Sequence, residues 1–376
     1  MDCALAHRRL ILLLALSLGC STVPESAAEC AQPNDMTQPI GFSLSVALDY
    51  QSGTLDAFAP LCPENPKKQI LTTSGDATLA RWSSGIVVIN RGASSYLQFV
   101  DQDFSLAYEI GINGCNAHDL LELNTEEFLV TCYDSKYLHY LNLNEANANP
   151  WLDLGNFADE DGIPEMDRML LKNQTAYISI QMLNRNQNYK AERPGKVIAF
   201  DISNFDPSLP PTQEALTTYD LPCWNPYTRM QLYQDTMLMV GCSGNWSTKE
   251  TMGVITIDLE NGESSTLYSG ADLKGPVHSL YVAPNNDISV LTSVVGQDIW
   301  DIKEMVVWQL GENASALYQT SGFNLYGLSG YQELLFFGNR EQNANAGLWT
   351  FDKESQEANG PFKTTLPPHD IMVLTP

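Results

Sequence analysis

Five places in the sequence set a polar pair at the head of an apolar run: His118-Asp119, Asp167-Arg168, Thr228-Arg229, His278-Ser279 and His369-Asp370. Histidines beside carboxylates have the donor types that ligate a divalent metal or act as acid and base. Glu165 stands next to the second pair. Their recurrence at matched positions argues for another role, because repeat-equivalent polar residues satisfy turn backbone groups and link neighbouring units. The candidate ligand-binding residues are therefore His118, Asp119, Glu165, Asp167, Arg168, Arg229, His278, His369 and Asp370, with the structural role set beside binding and catalysis.

Asn90-Arg91 and Asn339-Arg340 each close an apolar run and read first as parts of the repeat. Arg91, Arg185 and Arg340 could also meet an anionic ligand in an otherwise acidic chain. Trp224, Trp246, Trp300, Tyr227 and Tyr326 could form a platform for carbohydrate or peptide, or pack between repeat units. His139 is read as a surface strand residue. There is no Gly-x-Ser-x-Gly elbow, no His-Glu-x-x-His pair, no glycine-rich phosphate loop and no Asp-x-Asp-x-Asp-Gly calcium loop. Nucleophilic catalysis thus finds no support. The Asn-x-Ser/Thr triplets at Asn173, Asn245 and Asn313 matter only in a eukaryotic source.

The elements that must position these residues are short strands. Runs rich in β-branched and aromatic residues recur at Gly85–Ile89, Glu127–Thr131, Ala176–Ile180, Met237–Val240, Ile288–Thr292 and Glu333–Phe337. Each follows a strand headed by a polar pair, as at 118–121, 167–171, 228–232 and 278–282. A third strand often runs into an Asp-containing turn, as at 197–201, 254–258 and 348–352. Gly, Asn, Asp and Pro clusters separate the runs, and no long amphipathic helix is evident. The interval, about 45 to 55 residues, suits a four-stranded propeller blade.

The predicted fold is therefore all-β, a β-propeller of seven four-stranded blades over residues 40–376, with six or eight blades and a β-sandwich as the alternatives. The chain stops after His369–Leu374, a single innermost strand. Its missing partners are expected from Gly41–Ala59, so that N- and C-terminal strands close the ring and remove exposed edges.

Asp159–Met169 and Tyr177–Arg185 resemble segments of secreted bacterial propeller lipoproteins of the YVTN/YncE-like, quinoprotein-dehydrogenase-like superfamily. Asn116-Ala117-His118-Asp119 is similar to the Asn-Pro-His-Asp turn that opens their blades, with Ala117 in place of Pro. The resemblance implies the propeller fold and says little about activity. No pyrroloquinoline quinone motif is found, and no other cofactor is evident, a divalent metal being the one that the candidate residues could hold.

The N-terminus gives an address. His7, Arg8 and Arg9 precede an apolar run from Leu10 to Leu18, the two parts of a secretory signal and too short to span a bilayer. Leu16–Cys20 resembles the bacterial lipobox, with Ser17 where Leu usually stands. The reading is a signal over 1–19, lipidation at Cys20 and a flexible tether over 20–39. Ser21 rather than Asp favours the outer membrane. The alternative is cleavage after Ser26-Ala27-Ala28, which releases a soluble protein.

Six cysteines remain beyond the signal: Cys30, Cys62, Cys115, Cys132, Cys223 and Cys242. They suit three disulfides in an oxidising compartment, and sequence-local pairing, 30 with 62, 115 with 132 and 223 with 242, is the one chosen. The net charge of −25 excludes a nucleic-acid partner, which needs a concentrated basic surface. The leading function is a monomeric binding or scaffold protein of the cell envelope, engaging a protein, peptide or glycan. A metal-assisted lyase or hydrolase at the channel mouth is the alternative, and a redox protein related to quinoprotein dehydrogenases is a third.

Overall fold

The computed structural model describes residues 30–296 and 301–375. The signal segment, Cys20 and Trp300 lie outside the described residues. The chain forms seven four-stranded antiparallel sheets arranged as the blades of a propeller, together with a two-stranded ribbon that pairs Leu183–Asn184 with Lys190–Ala191. The first complete blade runs from axis to rim through Ala77–Trp82, Gly85–Asn90, Ser94–Asp101 and Leu106–Asn113. The next five blades have their innermost strands at Ala117–Asn124, Met166–Lys172, Gln231–Tyr233, Val277–Val282 and Leu325–Tyr331.

The expected second strands are all present, and the physical reason is their burial. Each blade is covered on both faces by its neighbours, so its middle strands read as continuous apolar runs rather than alternating ones. All six residues of Gly85–Asn90 are buried, whereas the rim strand Leu106–Asn113 is mostly exposed. Aromatic side chains fill the inter-blade space: Phe99 lies 5.3 Å from both Trp82 and Phe128, ring centre to ring centre. Fully burying a side chain of this size stabilises by roughly 1.5–3 kcal/mol.

The seventh blade is closed by both ends of the chain. Pro368–Leu374 is its innermost strand and pairs with Ile40–Val46, followed outward by Gly53–Ala59 and Cys62–Thr73. The last of these was not foreseen, because its polar, Pro-containing start suits a rim strand and hides its periodicity. Buried Asp56 locks the seam, accepting from Gln69 N–H at 2.8 Å and from the N–H and hydroxyl of Thr365 at 2.6 and 2.7 Å. Arg340 grips both halves: its guanidinium donates to Val46 O at 2.9 Å, Pro367 O at 3.0 Å and Ala47 O at 3.3 Å. Phe58 and Phe336, 5.2 Å apart, pack this blade against its neighbour.

The three disulfides join Cys30 to Cys62, Cys115 to Cys132 and Cys223 to Cys242. The last two occupy the same place in two blades, each tying the segment before the innermost strand to the end of the second strand. Their Cα separations, 4.5 and 6.1 Å, fall within the ordinary range.

Two expectations change. The tether does not extend to residue 39: Cys30 is disulfide-bonded, Gln32 donates to Pro66 O at 2.8 Å, and Met36 is buried with its N–H on Gln102 O at 3.0 Å. The folded unit therefore includes residues from Cys30 onward. His139 is not a surface residue but 9% exposed, since a rim-ward strand inside a ring is still covered by the next blade.

Candidate functional site

The polar pairs stand at one end of the innermost strands, some at the mouth of the central channel and some behind it, and a recurring β-bulge puts them there. Opposite the second strand, His118, His278 and His369 are each the extra residue of a bulge, as are Asp167-Arg168 and Gly327-Leu328. In the fourth blade Tyr227 and Thr228 both donate their N–H to Gly241 O, at 3.0 and 3.2 Å, which is the same irregularity in hydrogen-bond form. The innermost strand Ala77–Trp82 pairs in regular register along its whole length. A bulge turns a side chain out of the pleat and is a common device beside binding sites.

Hydroxyls fill the gaps that the bulges open, from the second strand at Thr131 and Ser179 and from the inner side at Thr228. Thr131 Oγ accepts Asp119 N–H at 2.8 Å and donates to Asp167 O at 2.8 Å. Ser179 Oγ accepts Arg168 N–H at 2.9 Å, and Thr228 Oγ accepts Gly241 N–H at 2.8 Å. The buried backbone groups are thereby paired.

Behind the mouth lies a polar cluster that does not border the cavity. His118 Nδ1 and Asp167 Oδ1 are 2.9 Å apart, and the His118 ring stacks on Tyr133 with centres 4.0 Å apart. Gln181 donates to the other Asp167 oxygen at 2.8 Å and accepts the Tyr133 hydroxyl at 2.9 Å. Burial pushes the His118 pKa down despite Asp167. Burial also opposes ionisation of Asp167, but Arg168 and His118 outweigh it and hold that carboxyl below its usual value. Asp119 is raised by burial.

Glu165 is fully buried and its pKa is pushed up to about 7 by burial, against the pull of Arg185. Arg185 donates to Glu165 and to Asp134, both at 2.8 Å, and also to Tyr133 O. It is thus neutralised locally. Arg340 instead directs its donors to three backbone carbonyls, so both guanidinium groups are engaged within the fold.

The central channel opens as a cavity of about 650 Å³. Arg168, Arg229, His278, His369 and Asp370 border it, whereas His118, Asp119, Glu165 and Asp167 do not. His278 Nε2 meets Ser293 Oγ at 2.9 Å, with Trp246 and Phe323 edge-on at 5.3 and 5.4 Å. His369 lies 6.0 and 5.1 Å from the rings of Tyr50 and Tyr326. Burial holds both histidines neutral, with pKa values lowered to about 4. Asp370 goes the other way: burial is overcome by Arg229, which keeps the carboxyl far below the usual range.

Three histidines, His118, His278 and His369, suffice in type for a metal site, a role set behind the structural one, and they are not among the groups whose ligand atoms converge. Among the described residues, the groups whose ligand atoms converge are Cys115, Cys132 and His139, and Cys30, Cys62 and Glu64; the cysteines of both are disulfide-bonded. Residues that the sequence reading passed over also border the cavity: Thr78, Arg81, Tyr281 and Phe323. Thr78 stands where the third blade has Arg168, since Leu79 and Met169 each give their N–H to an aspartate of the preceding blade, so repeat alignment was the signal that could have found it.

Seven four-stranded blades around a lined channel define a seven-bladed β-propeller. No family model and no curated protein matches the chain in sequence. Among solved structures, the chain is similar to a 6-phosphogluconolactonase candidate from Bacteroides uniformis ATCC 8492, at 9% identity over 90% of this chain and 99% of that one, with a TM-score of 0.60. It is also similar to apo AztD from Citrobacter koseri, at 10% identity over 90% and 98% of the two chains, with a TM-score of 0.50. At these identities the likeness is one of fold alone.

Proposed function

We propose that the chain is a binding propeller of the cell envelope that takes its ligand at the bulged mouth of the channel. The observation that carries this reading is the cavity itself. It has the volume of a small-molecule site and is bordered by aromatic and polar side chains, while the carboxylates behind it, Asp119, Asp167 and Glu165, are already hydrogen-bonded into the ring. The disulfides suit an oxidising compartment. Lipidation at Cys20, an outer-membrane position, kinship with the YVTN/YncE-like lipoproteins and a monomeric state belong to the same proposal. A protein, peptide or glycan partner would reach the site by a protruding group.

Saturation-transfer NMR on the exported protein tests this, with benzyl alcohol, glucose and Gly-Phe-Gly as probes. Binding that is lost in a Tyr227→Ala, Phe323→Ala double variant supports a ligand at the mouth. Absence of binding by every probe, or binding indifferent to the double variant, overturns it.

A catalytic reading rests on one feature, the His118–Asp167 pair, whose geometry suits a general base held in one orientation. Metal analysis of the wild type beside a His118→Ala, His278→Ala, His369→Ala variant tests the metal-assisted form. One metal per chain that disappears in the variant would favour it.

A further inference from the structure

We propose that the channel below the mouth is an anion-receiving site in which Arg81 anchors a carboxylate- or phosphate-bearing small molecule that carries a flat ring. This deepens the binding reading above and rests on it.

The first observation is the placement of charge. The protein carries a net −25, yet the cationic side chains bordering the cavity are Arg81, Arg91, Arg168 and Arg229. Each but one already has a carboxylate. Arg91 pairs with Asp76, Arg168 with Asp167 at 3.6 Å, and Arg229 with Asp370. Arg81 has no carboxylate partner among the described residues, and its guanidinium makes one long contact, Nη2 to Val373 O at 3.4 Å. Glu333, which also borders the cavity, is engaged by Lys353 at 3.5 Å.

The second observation is where Arg81 stands. It lies in the regular innermost strand, three positions beyond Thr78, and its side chain is open to the channel lumen while protein encloses the channel around it. That enclosure, and repulsion from Arg229, lower its pKa. A guanidinium that faces an enclosed lumen without a carboxylate partner attracts an incoming anion, because low-dielectric channel walls focus its field. A guanidinium fork matches the two oxygens of a carboxylate or phosphate better than an ammonium does.

The third observation supplies the ring. Tyr281, beside Arg81, also borders the cavity, and its ring lies so close to Gly330 that a Cβ there would sit 2.3 Å from it. Glycine at that position therefore makes room for the tyrosine. At the mouth, Tyr227 and Phe323 border the same cavity, each 39% exposed despite its apolar area. A ligand with an anionic head and a planar body would satisfy both ends.

Calorimetry on the full exported protein at low salt, with phenyl phosphate, benzoate, inorganic phosphate and benzyl alcohol, tests the assignment. Phenyl phosphate or benzoate should bind more tightly than benzyl alcohol, and the comparison of the two anions identifies the head group preferred. Arg81→Gln should weaken the anions about tenfold or more and leave benzyl alcohol unchanged, while Arg81→Lys should retain part of the affinity. An unchanged melting temperature in Arg81→Gln separates lost binding from lost fold. If the anions bind no better than benzyl alcohol, or Arg81→Gln leaves them unaffected, the anion assignment falls and the mouth remains a binding site. If no probe binds, both fall together.

Discussion

Asp119 and Asp370 make one contact twice: Asp119 accepts the N–H of Met169 in the next blade at 2.8 Å, and Asp370 accepts that of Leu79 across the ring closure at 3.0 Å. Each also accepts the N–H of its own following residue at 2.9 Å. These carboxylates are clasps between blades, which is the structural role that repeat-equivalent polar residues commonly have.

The two clasps should differ in strength. Asp370→Ala leaves Arg229 partly buried without its counter-ion and should cost about 3–5 kcal/mol in urea unfolding. Asp119→Ala leaves the Met169 N–H unpaired and should cost about 1–3 kcal/mol. Equal small losses would mean that the ring closes without them.

Acid should loosen the mouth. His278 and His369 have folded pKa values of about 4 against 6.5 unperturbed, so the unfolded chain binds more protons across that window. Stability contributed by keeping them neutral is full above about pH 6.5 and declines as the pH falls towards 4. A His278→Gln, His369→Gln variant should show a flatter stability profile across the same range.

Glu165 should act in the opposite sense. Its folded pKa of about 7 lies above the usual 4.5, so its contribution is full below 4.5 and is lost as the pH rises through 7. Carbon-detected NMR of the Glu165 carboxyl should show a titration near neutrality, and Glu165→Gln should remove the corresponding decline in stability.

Loss of the Cys115–Cys132 bridge should be felt locally. It closes a loop of sequence separation 17 that contains the His118 bulge. A Cys115→Ala, Cys132→Ala variant should lose about 3 kcal/mol, with accelerated amide exchange in Ala117–Asn124 ahead of the remaining blades.

Sequence was most informative where a strand is covered on both faces. Thr175–Ile180 and Leu334–Asn339 announce themselves as apolar runs, and the lone strand at Pro368–Leu374 required partners that Ile40–Val46 and Gly53–Ala59 supply. Rim strands such as Ser264–Ser269 carry no such pattern, since half of each meets solvent. At the site, His118, His278 and His369 were visible as a repeat, but a bulge cannot be seen from the residues that it displaces. Arg81 was invisible for the converse reason: its strand is regular and offers no motif, and its importance arises only once Asp76, Asp167 and Asp370 are seen to pair with Arg91, Arg168 and Arg229. The partners of Arg340 and Arg185, carbonyls and carboxylates distant in sequence, could not be read from the residues beside them.

The Cys30–Cys62 bridge has a mechanical consequence. It connects the segment before the strand Ile40–Val46 to the start of Cys62–Thr73 at the blade's outer edge. Tension applied to the chain upstream of Cys30 is therefore passed through sulfur to Cys62, and the loop between the two residues carries none of it. The strand that latches the ring is isolated from that load, so a protein tugged by its N-terminus would peel at its outermost strand before its closure gave way.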